Sequence, residues 1–405
     1  MEGTGAGMGV TAAAGFRAAG VAAGLKAGGG LDVALVVNDG PRDAAAAVYT
    51  ANRCRANPVI WSEQASRDGR LRAVVLNSGG ANCYTGPEGF VTTHRTAEQV
   101  AAGLGTSAQD VVVCSTGLIG PRLDEALLRD GVARALAALD GGPDAGLAAA
   151  QAIMTTDTRH KTAVATPGGD PSAGLTAGRP DGWTVGGMAK GAGMLAPGLA
   201  TMLVVLTTDA DVDAAGCDAA LRAATRVTFD RLDSDGCQST NDTVVLMASG
   251  ASGVTPDAAQ LADAVRAVCH DLAQQLLSDA EGADHDIHIE VRGAAAEDEA
   301  VEVGRAVARS NLFKAAIFGR DPNWGRILAA VGTTRAAFDP AELDVAVNGV
   351  RVCKDGGPGE PADAVDLAPR RVDVTIDLKA GGETATVWTN DLTQAYVHEN
   401  SAYSS

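Results

Sequence analysis

The chain has 405 residues, of which 46% are hydrophobic and 20% charged, and this balance predicts a soluble globular protein of two or three domains. Its formal net charge of −18 argues against nucleic acid and anionic membrane surfaces as partners, because both would repel it at long range. Aromatic residues make up only 3% and glycines number 50, so the core must use small aliphatic side chains and close backbone approaches.

The seven cysteines are odd in number and form no C-x-x-C pair, which is typical of reduced core residues. The first residues do not have the basic start and apolar core of a signal peptide, and no apolar run reaches the length of a membrane span. We therefore expect a cytoplasmic protein that makes no membrane contact.

Short apolar runs and turn residues alternate in the first part of the chain. Strands are predicted over residues 32–40, 44–52, 57–62 and 72–77, the last of them opening into the loop NSGGANCYTG. Helices are predicted over 98–105, 124–139 and 146–154. The Gly-, Pro- and Asp-rich residues 159–183 indicate a surface insertion.

The segment 110–120, DVVVCSTGLIG, is a second strand that runs into a glycine loop. Ser115, Thr116 and Gly117 place two hydroxyls and a freely oriented backbone N–H at the end of that strand, which is what an oxyanion hole requires. A plain turn between a strand and a helix has the same composition, so the segment alone leaves both interpretations open.

The stretch 186–208, GGMAKGAGMLAPGLATMLVVLTT, changes from a glycine-rich loop to a β-branched strand near the midpoint of the chain. Glycines and Pro197 constrain the approach to the bond between Ala200 and Thr201, and strain beside a hydroxyl favours an N-to-O acyl shift. If that bond is cut, Thr201 becomes a chain start whose own amine, with a pKa of about 7.7 to 8, can act as its general base.

Two other interpretations of this stretch stay open on its own residues. GAGMLA fits a dinucleotide-binding fingerprint, but no strand leads into it, and Pro197 stands where its helix should be established. A structural glycine loop before a buried strand fits as well.

The second half continues the alternation of helices and strands. Helices are predicted from Asp213 to Arg226 and over 256–279, 299–312 and the end of 318–332. Strands are predicted at 201–208, at the apolar end of 231–250, at 286–291 and near residues 344, 372 and 384. An acidic run from 209 resembles the start of a calcium loop but lacks the glycine and glutamate that such a loop needs. His285 and His288 suggest a metal, but the surrounding pattern favours a half-buried strand, and we expect no metal.

Seven motifs together identify the family. The chain contains, in order, NSGGANCYTG, STGLIG, MTTDT, AKGAGMLAPGLATML, DSDGCQSTNDT, DPNWGRILAAVG and WTNDLTQAYVHENSAYSS. This series resembles the ornithine acetyltransferase family of arginine biosynthesis, ArgJ, from about residue 10 to the end. The resemblance implies a layered α/β/β/α sandwich of the ArgJ and DmpA-like type, with a smaller α+β C-terminal domain over about 288–405.

The resemblance also assigns site residues. It implies self-cleavage between Ala200 and Thr201 into chains 1–200 and 201–405, with Thr201 as nucleophile and Thr116 and Gly117 as oxyanion hole. It places substrate contacts on six residues, namely Thr155, Lys190, Thr201, Glu281, Asn400 and Ser405. Family members usually have Thr or Ser and then Lys where Asp284 and His285 stand here, which puts acceptor preference in question.

The implied reaction transfers acetyl from N2-acetyl-L-ornithine to L-glutamate, without a cofactor, in an α2β2 heterotetramer of the two cleavage products. Some members also make N-acetylglutamate from acetyl-CoA. An amidase or aminopeptidase that uses the same threonine, and a paralogue that serves secondary metabolism, stay open as alternatives. A non-catalytic binding protein is disfavoured because every catalytic position of the pattern is filled.

Overall fold

The computed structural model describes residues 9–167, 182–196 and 202–402, and these residues divide into two units. The first unit draws on residues 1–191, 198–229 and 238–276, and the second on 192–197, 230–237 and 277–405.

The first unit contains nine strands and the first six helices among its described residues. The strands are β1 (Phe16–Val21), β2 (Val33–Asn38), β3 (Ala44–Tyr49), β4 (Ala73–Asn77), β5 (Val111–Ser115), β6 (Lys161–Ala165), β7 (Val185–Lys190), β8 (Leu203–Thr208) and β9 (Thr243–Ala248). The helices are α1 (Asn57–Ala65), α2 (Gly86–Leu104), α3 (Glu125–Ala137), α4 (Pro143–Ala152), α5 (Ala214–Val227) and α6 (Ala258–Ser278), whose last two residues fall in the second unit.

Two sheets pack face to face in this unit. One has the order β1-β2-β4-β5 and the other β3-β9-β8-β7-β6, and in each a single neighbouring pair, β4 with β5 and β8 with β9, is parallel. A buried cluster that includes Val36, Leu76, Val205 and Met247 joins their inner faces. Both faces of the central strands are covered, and their sequences are accordingly continuous apolar runs rather than alternating ones.

Helices cover the outer face of each sheet. Residues of α1, α2 and α3 pack with Leu35 and Val75 on the first sheet. On the second sheet, a Cβ at Gly187 would meet Val268 and Leu272 of α6 at about 3 Å, so that glycine permits close helix packing. The order of layers is helix, sheet, sheet, helix, and the predicted α/β/β/α sandwich is confirmed.

Two sequence predictions were wrong here. Residues 57–62 form the start of helix α1 rather than a strand, because Pro58 occupies the first turn, where its missing N–H costs nothing. Residues 159–183 are not wholly a surface insertion, since Lys161–Ala165 form β6, which pairs antiparallel with β7. Residues 168–181 lie outside the described part of the chain.

The second unit is built on one six-stranded sheet. Its strands are β10 (Asp286–Ala294), β11 (Asp344–Val347), β12 (Val350–Lys354), β13 (Gly357–Pro358), β14 (Arg371–Asp377) and β15 (Glu383–Asn390), in the order β13-β12-β11-β14-β10-β15. Its helices are α7 (Glu297–Ala308), α8 (Asn311–Phe318), α9 (Trp324–Val331) and α10 (Gln394–Ala402). Ile289, Val374 and Val387 of the sheet pack with Val303 and Phe313 of the helices in one core.

The predicted helix 299–312 is two helices, because Ser310 caps α8 through a hydrogen bond from the Phe313 N–H to its hydroxyl. The polar tail, of a composition that is usually disordered, forms α10 instead. No helix of the described chain is long and apolar enough to cross a membrane.

Candidate functional site

Thr116 and Gly117 follow directly after β5, at the edge where β4 also ends. The Thr116 N–H donates to the Asn77 carbonyl at 2.9 Å, and its carbonyl accepts the Gly80 N–H at 3.0 Å. Gly117 has a φ of 129°, and a Cβ there would fall 2.8 Å from the Gly80 nitrogen, so only glycine fits. Within the described residues the Gly117 N–H donates no hydrogen bond, so this donor can serve a ligand.

Lys190 brings its ammonium group to Thr116 from the last position of β7. Its side chain is buried, with 2% of the residue exposed, and Nζ donates to Thr116 Oγ1 at 3.2 Å. Because an ammonium only donates, Thr116 Oγ1 is the acceptor in this bond. The Thr116 hydroxyl hydrogen is then left to donate elsewhere, beside the Gly117 N–H, and a hydroxyl and an N–H together can stabilise a developing oxyanion.

Asp157 connects several site residues in the first unit. Its Oδ1 accepts from Lys161 Nζ and from the Gly191 N–H, both at 2.7 Å, and its Oδ2 accepts the Thr155 N–H at 2.9 Å. Thr155 and the residue after Lys190 are thus fixed by one carboxylate. The Asp157 and Lys161 side chains are both fully buried.

The charges around Asp157 determine its protonation state. Burial alone raises the pKa of this carboxyl, but Lys190, Lys161 and the Gly191 N–H outweigh it and hold the pKa below its usual range. One ionised carboxylate therefore stands among the two buried ammonium groups of Lys161 and Lys190. The positive charge of these two lysines suits a substrate carboxylate or an oxyanion.

Ala200, Thr201 and Ser405 lie outside the described residues. The chain after Thr201 is fixed, because the Met202 N–H donates to Asp242 Oδ1 at 3.0 Å and the Thr243 N–H donates to the Met202 carbonyl at 3.2 Å. Leu203, two residues after Thr201 in sequence, pairs with Lys190 across β7 and β8.

In the second unit, Glu281 and Asn400 contact each other. Asn400 Nδ2 donates to Glu281 Oε2 at 2.9 Å, and the Glu281 N–H donates to the Ala192 carbonyl at 3.0 Å. A Cβ at Gly193 would overlap the Glu281 carboxylate, so this glycine lets the carboxylate lie against the backbone. Glu281 is half-buried, which leaves its carboxylate access to a ligand ammonium group.

Two further acidic groups belong to the surroundings of Glu281. Burial raises the pKa of Asp235, and the Glu281 charge raises it further. Burial also raises the pKa of Tyr396 to about 12, with smaller contributions from Asp235 and Glu281. The charge of Glu281 thus acts on both Asp235 and Tyr396, which places its carboxylate near these two groups.

His285 and His288 both make hydrogen bonds within the protein. His285 is buried, with Nδ1 2.7 Å from Asp391 Oδ2 and Nε2 3.1 Å from the Leu367 carbonyl, while His288 Nδ1 accepts from Trp388 Nε1. In the part of the chain that is described, no group of three or more His, Cys, Asp or Glu side chains is arranged to hold a metal ion. His285, where the family usually has lysine, is thus occupied in fixing the chain after Glu281.

Sequence reasoning missed Asp157, Lys161, Asp235 and Asp242. Asp157 lies within the motif MTTDT, and Asp235 and Asp242 lie within DSDGCQSTNDT, which was the available signal. No sequence signal pointed to Lys161, because a lysine beside a Gly- and Pro-rich run is expected to be exposed.

The comparisons with known proteins bear on this arrangement. A solved chain of the ornithine acetyltransferase of Mycobacterium tuberculosis, complexed with ornithine, is 53% identical, covers 49% of this chain and 97% of that one, and has a TM-score of 0.44. The arginine biosynthesis bifunctional protein ArgJ of Streptomyces avermitilis is 64% identical over 398 residues, which cover 98% of this chain and 100% of the relative. The protein of the same name from Thermobifida fusca is 61% identical with the same coverage.

The ArgJ family itself matches over residues 17–405, nearly the whole chain. On that match and on the identity to full-length relatives, the chain belongs to the ArgJ family and is a bifunctional acyltransferase of arginine biosynthesis.

Proposed function

We propose that this chain transfers the acetyl group of N2-acetyl-L-ornithine to L-glutamate through an acetyl ester on Thr201. The hydrogen bond from Lys190 Nζ to Thr116 Oγ1, beside a Gly117 N–H that donates to none of the described residues, is the observation that carries this proposal. It leaves two donors at a strand end, in the arrangement that acyl transfer uses to stabilise an oxyanion.

The reaction is a double displacement. The Thr201 hydroxyl attacks the acetyl carbonyl, its proton passes to the Thr201 amine, and the tetrahedral oxyanion is stabilised by the Thr116 hydroxyl and the Gly117 N–H. The C–N bond breaks, and the ornithine amine leaves with that proton. The amine of glutamate then attacks the ester, and N-acetylglutamate leaves as the Thr201 hydroxyl is restored.

This chemistry needs a free amine on Thr201, so we propose that the chain cleaves itself between Ala200 and Thr201. Attack of the Thr201 hydroxyl on the preceding carbonyl gives an ester, which water then hydrolyses. The products are residues 1–200 and 201–405, which we propose stay associated as an α2β2 heterotetramer with a mass about twice the 40.7 kDa of one chain.

Charge complementarity supports the substrate assignment. The positive charges of Lys190 and Lys161 in the first unit suit an α-carboxylate. Glu281 of the second unit is proposed, independently, as a contact for the side-chain ammonium of ornithine. Thr155, Asn400 and Ser405 are proposed to complete the substrate contacts. The same acetyl ester formed from acetyl-CoA, with coenzyme A thiol as leaving group, accounts for N-acetylglutamate synthesis as the second activity.

An assay of purified protein tests the proposal. Acetylornithine with glutamate should yield ornithine and N-acetylglutamate in equal amounts, and acetyl-CoA with glutamate should yield N-acetylglutamate at a measurable rate. Thr201→Ala should abolish both and should migrate as one uncleaved chain. Release of acetate from acetylornithine at a rate that glutamate does not change would establish a hydrolase and overturn the transferase proposal.

A further inference from the structure

Met194 adopts a backbone conformation that its side chain disfavours. Its φ is 55°, in the left-handed region, which glycine occupies readily and residues with a Cβ do not. Met194 stands six residues before Ala200, in the loop that leads toward the proposed cleavage bond. A residue held in this region must be fixed by its surroundings.

The surroundings that fix Met194 come from residues 234–237. The Met194 N–H donates to Asp235 Oδ2 at 2.7 Å. The next carbonyl, that of Leu195, accepts the N–H groups of Ser234 at 2.6 Å and Asp235 at 3.2 Å. Three hydrogen bonds thus fasten the left-handed turn to one short segment.

The Asp235 carboxylate is itself held in place. Its other oxygen, Oδ1, accepts the Cys237 N–H at 3.1 Å, so both oxygens are committed to backbone donors. The Ser234 carbonyl accepts from Lys314 Nζ, which ties the segment to α8. A carboxylate bonded to two backbone N–H groups is a rigid clamp between two loops.

The clamp acts on a buried stretch of chain. Leu195 and Ala196, which follow the turn at Met194, are 0% and 1% exposed and are therefore held within the protein. A strained scissile bond requires the residues before it to be held against relaxation. The clamp supplies that restraint on the upstream side.

We propose that Asp235 is a positioning residue for self-cleavage, which selects the left-handed conformation of Met194 and so fixes the path of the chain into the bond before Thr201. This inference rests on the proposed self-cleavage.

The rate of self-cleavage tests the proposed role of Asp235. Newly made protein from cell-free synthesis is followed by intact mass as the single chain of 40.7 kDa converts into two. We expect Asp235→Ala to slow conversion about 10-fold or more, since the conformation it selected loses its restraint. Asp235→Asn keeps an oxygen acceptor and should be slowed less. Adding Met194→Gly to Asp235→Ala should recover most of the rate, because glycine enters the left-handed region without the clamp.

A second pair of variants keeps the test decisive if Asp235→Ala does not fold. With Asp235 intact, Met194→Val should cleave about 10-fold more slowly than Met194→Gly, because a β-branched residue is strained at positive φ. Arg320→Val is the matched control, since the exposed Arg320 has a φ of 53° in the same unit, in the turn between α8 and α9. It should lower the melting temperature without slowing cleavage.

The outcomes separate the two proposals. Failure of the wild-type chain to cleave would refute the proposed self-cleavage. Normal wild-type cleavage with no difference between Met194→Val and Met194→Gly, or no recovery in the Asp235→Ala/Met194→Gly protein, would overturn the role of Asp235.

Discussion

Asp157 in the first unit is buried and Asp235 in the second is partly buried, and the pKa values of the two carboxyls shift in opposite directions. Burial is the largest influence on each and raises both. Around Asp157, two lysines outweigh it; around Asp235, two backbone N–H groups and Lys314 do not, and Glu281 adds to the rise. Charged neighbours therefore reverse the effect of burial on the pKa at Asp157 but not at Asp235.

The two regions differ in the sign of the charge that they offer to a ligand. The first region keeps a surplus of positive charge beside Thr116, which suits an oxyanion and a carboxylate. The second region keeps a surplus of negative charge around Glu281, which suits an ammonium group. The predictions below remove one part of this contrast at a time.

Removal of the Lys190 ammonium group should have the largest effect on kcat/KM. Lys190→Met takes away the ammonium that orients Thr116 and leaves Asp157 with Lys161 as its cation, so kcat/KM for acetyl transfer should fall by about 10³-fold or more. Lys354→Met, at an exposed lysine of β12, is the control and should leave kcat/KM unchanged. An equal kcat/KM in the two variants would contradict the role given to Lys190.

Loss of the Thr116 hydroxyl alone should have a smaller effect on turnover. Thr116→Val removes the hydroxyl and should lower kcat by about 10² to 10³ with little change in KM, as loss of one such donor does in acyl-transfer enzymes. Thr116→Ser keeps the hydroxyl and should retain most of the turnover. A Thr116→Val enzyme with wild-type kcat would show that other groups form the hole.

Replacing the Glu281 carboxylate with a neutral amide should act mainly on the binding of acetylornithine. Glu281→Gln loses about 1.5 to 3 kcal/mol of charge-assisted hydrogen bonding to the substrate ammonium, so KM for acetylornithine should rise about 10- to 100-fold. Acetyl transfer from acetyl-CoA to glutamate, in which no ornithine takes part, is the matched control reaction. A similar loss in both reactions would point to a structural role for Glu281.

The opposite pKa shifts should appear as opposite pH dependences of stability. The lowered pKa of Asp157 contributes stability above the ordinary carboxyl pKa near 3.9, and this contribution is lost as pH falls through the folded value. The raised pKa of Asp235 contributes stability below its unfolded value, which is lost as pH rises through its folded value.

Urea unfolding of Asp157→Asn and Asp235→Asn against the wild type, between about pH 3 and 6, measures both effects. The destabilisation caused by Asp157→Asn should shrink as pH falls. That caused by Asp235→Asn should shrink as pH rises. Parallel curves for both variants would show that the charges around the two carboxylates do not differ as described.

Local patterns in the sequence predicted the buried strands and several helix ends. Asp213 caps α5 as expected, because its carboxylate reaches the Gly216 N–H three residues on. Residues 57–62 were predicted wrongly, because a short apolar run fits a strand or a helix and only the position of Pro58 separates them.

Some residues of the candidate site could likewise be proposed from the sequence, and others could not. Thr116, Gly117 and Lys190 stay predictions, and they could be proposed from the sequence because each lies in a short local motif. Asp157 with Lys161 and Asp235 with Met194 could not, since their roles depend on hydrogen bonds between loops that the fold brings together. A lysine in a polar segment gives no sign that it is buried until its carboxylate partner is known.

The acetyl ester on Thr201 is the central claim, and rapid-quench intact mass spectrometry tests it most directly. Acetylornithine alone should add one acetyl mass to the chain that begins at Thr201 and release one equivalent of ornithine in a burst, and glutamate should then discharge that chain quickly into N-acetylglutamate. An adduct that never forms on this chain, or that forms equally in the Thr201→Ala protein, would contradict the double-displacement mechanism.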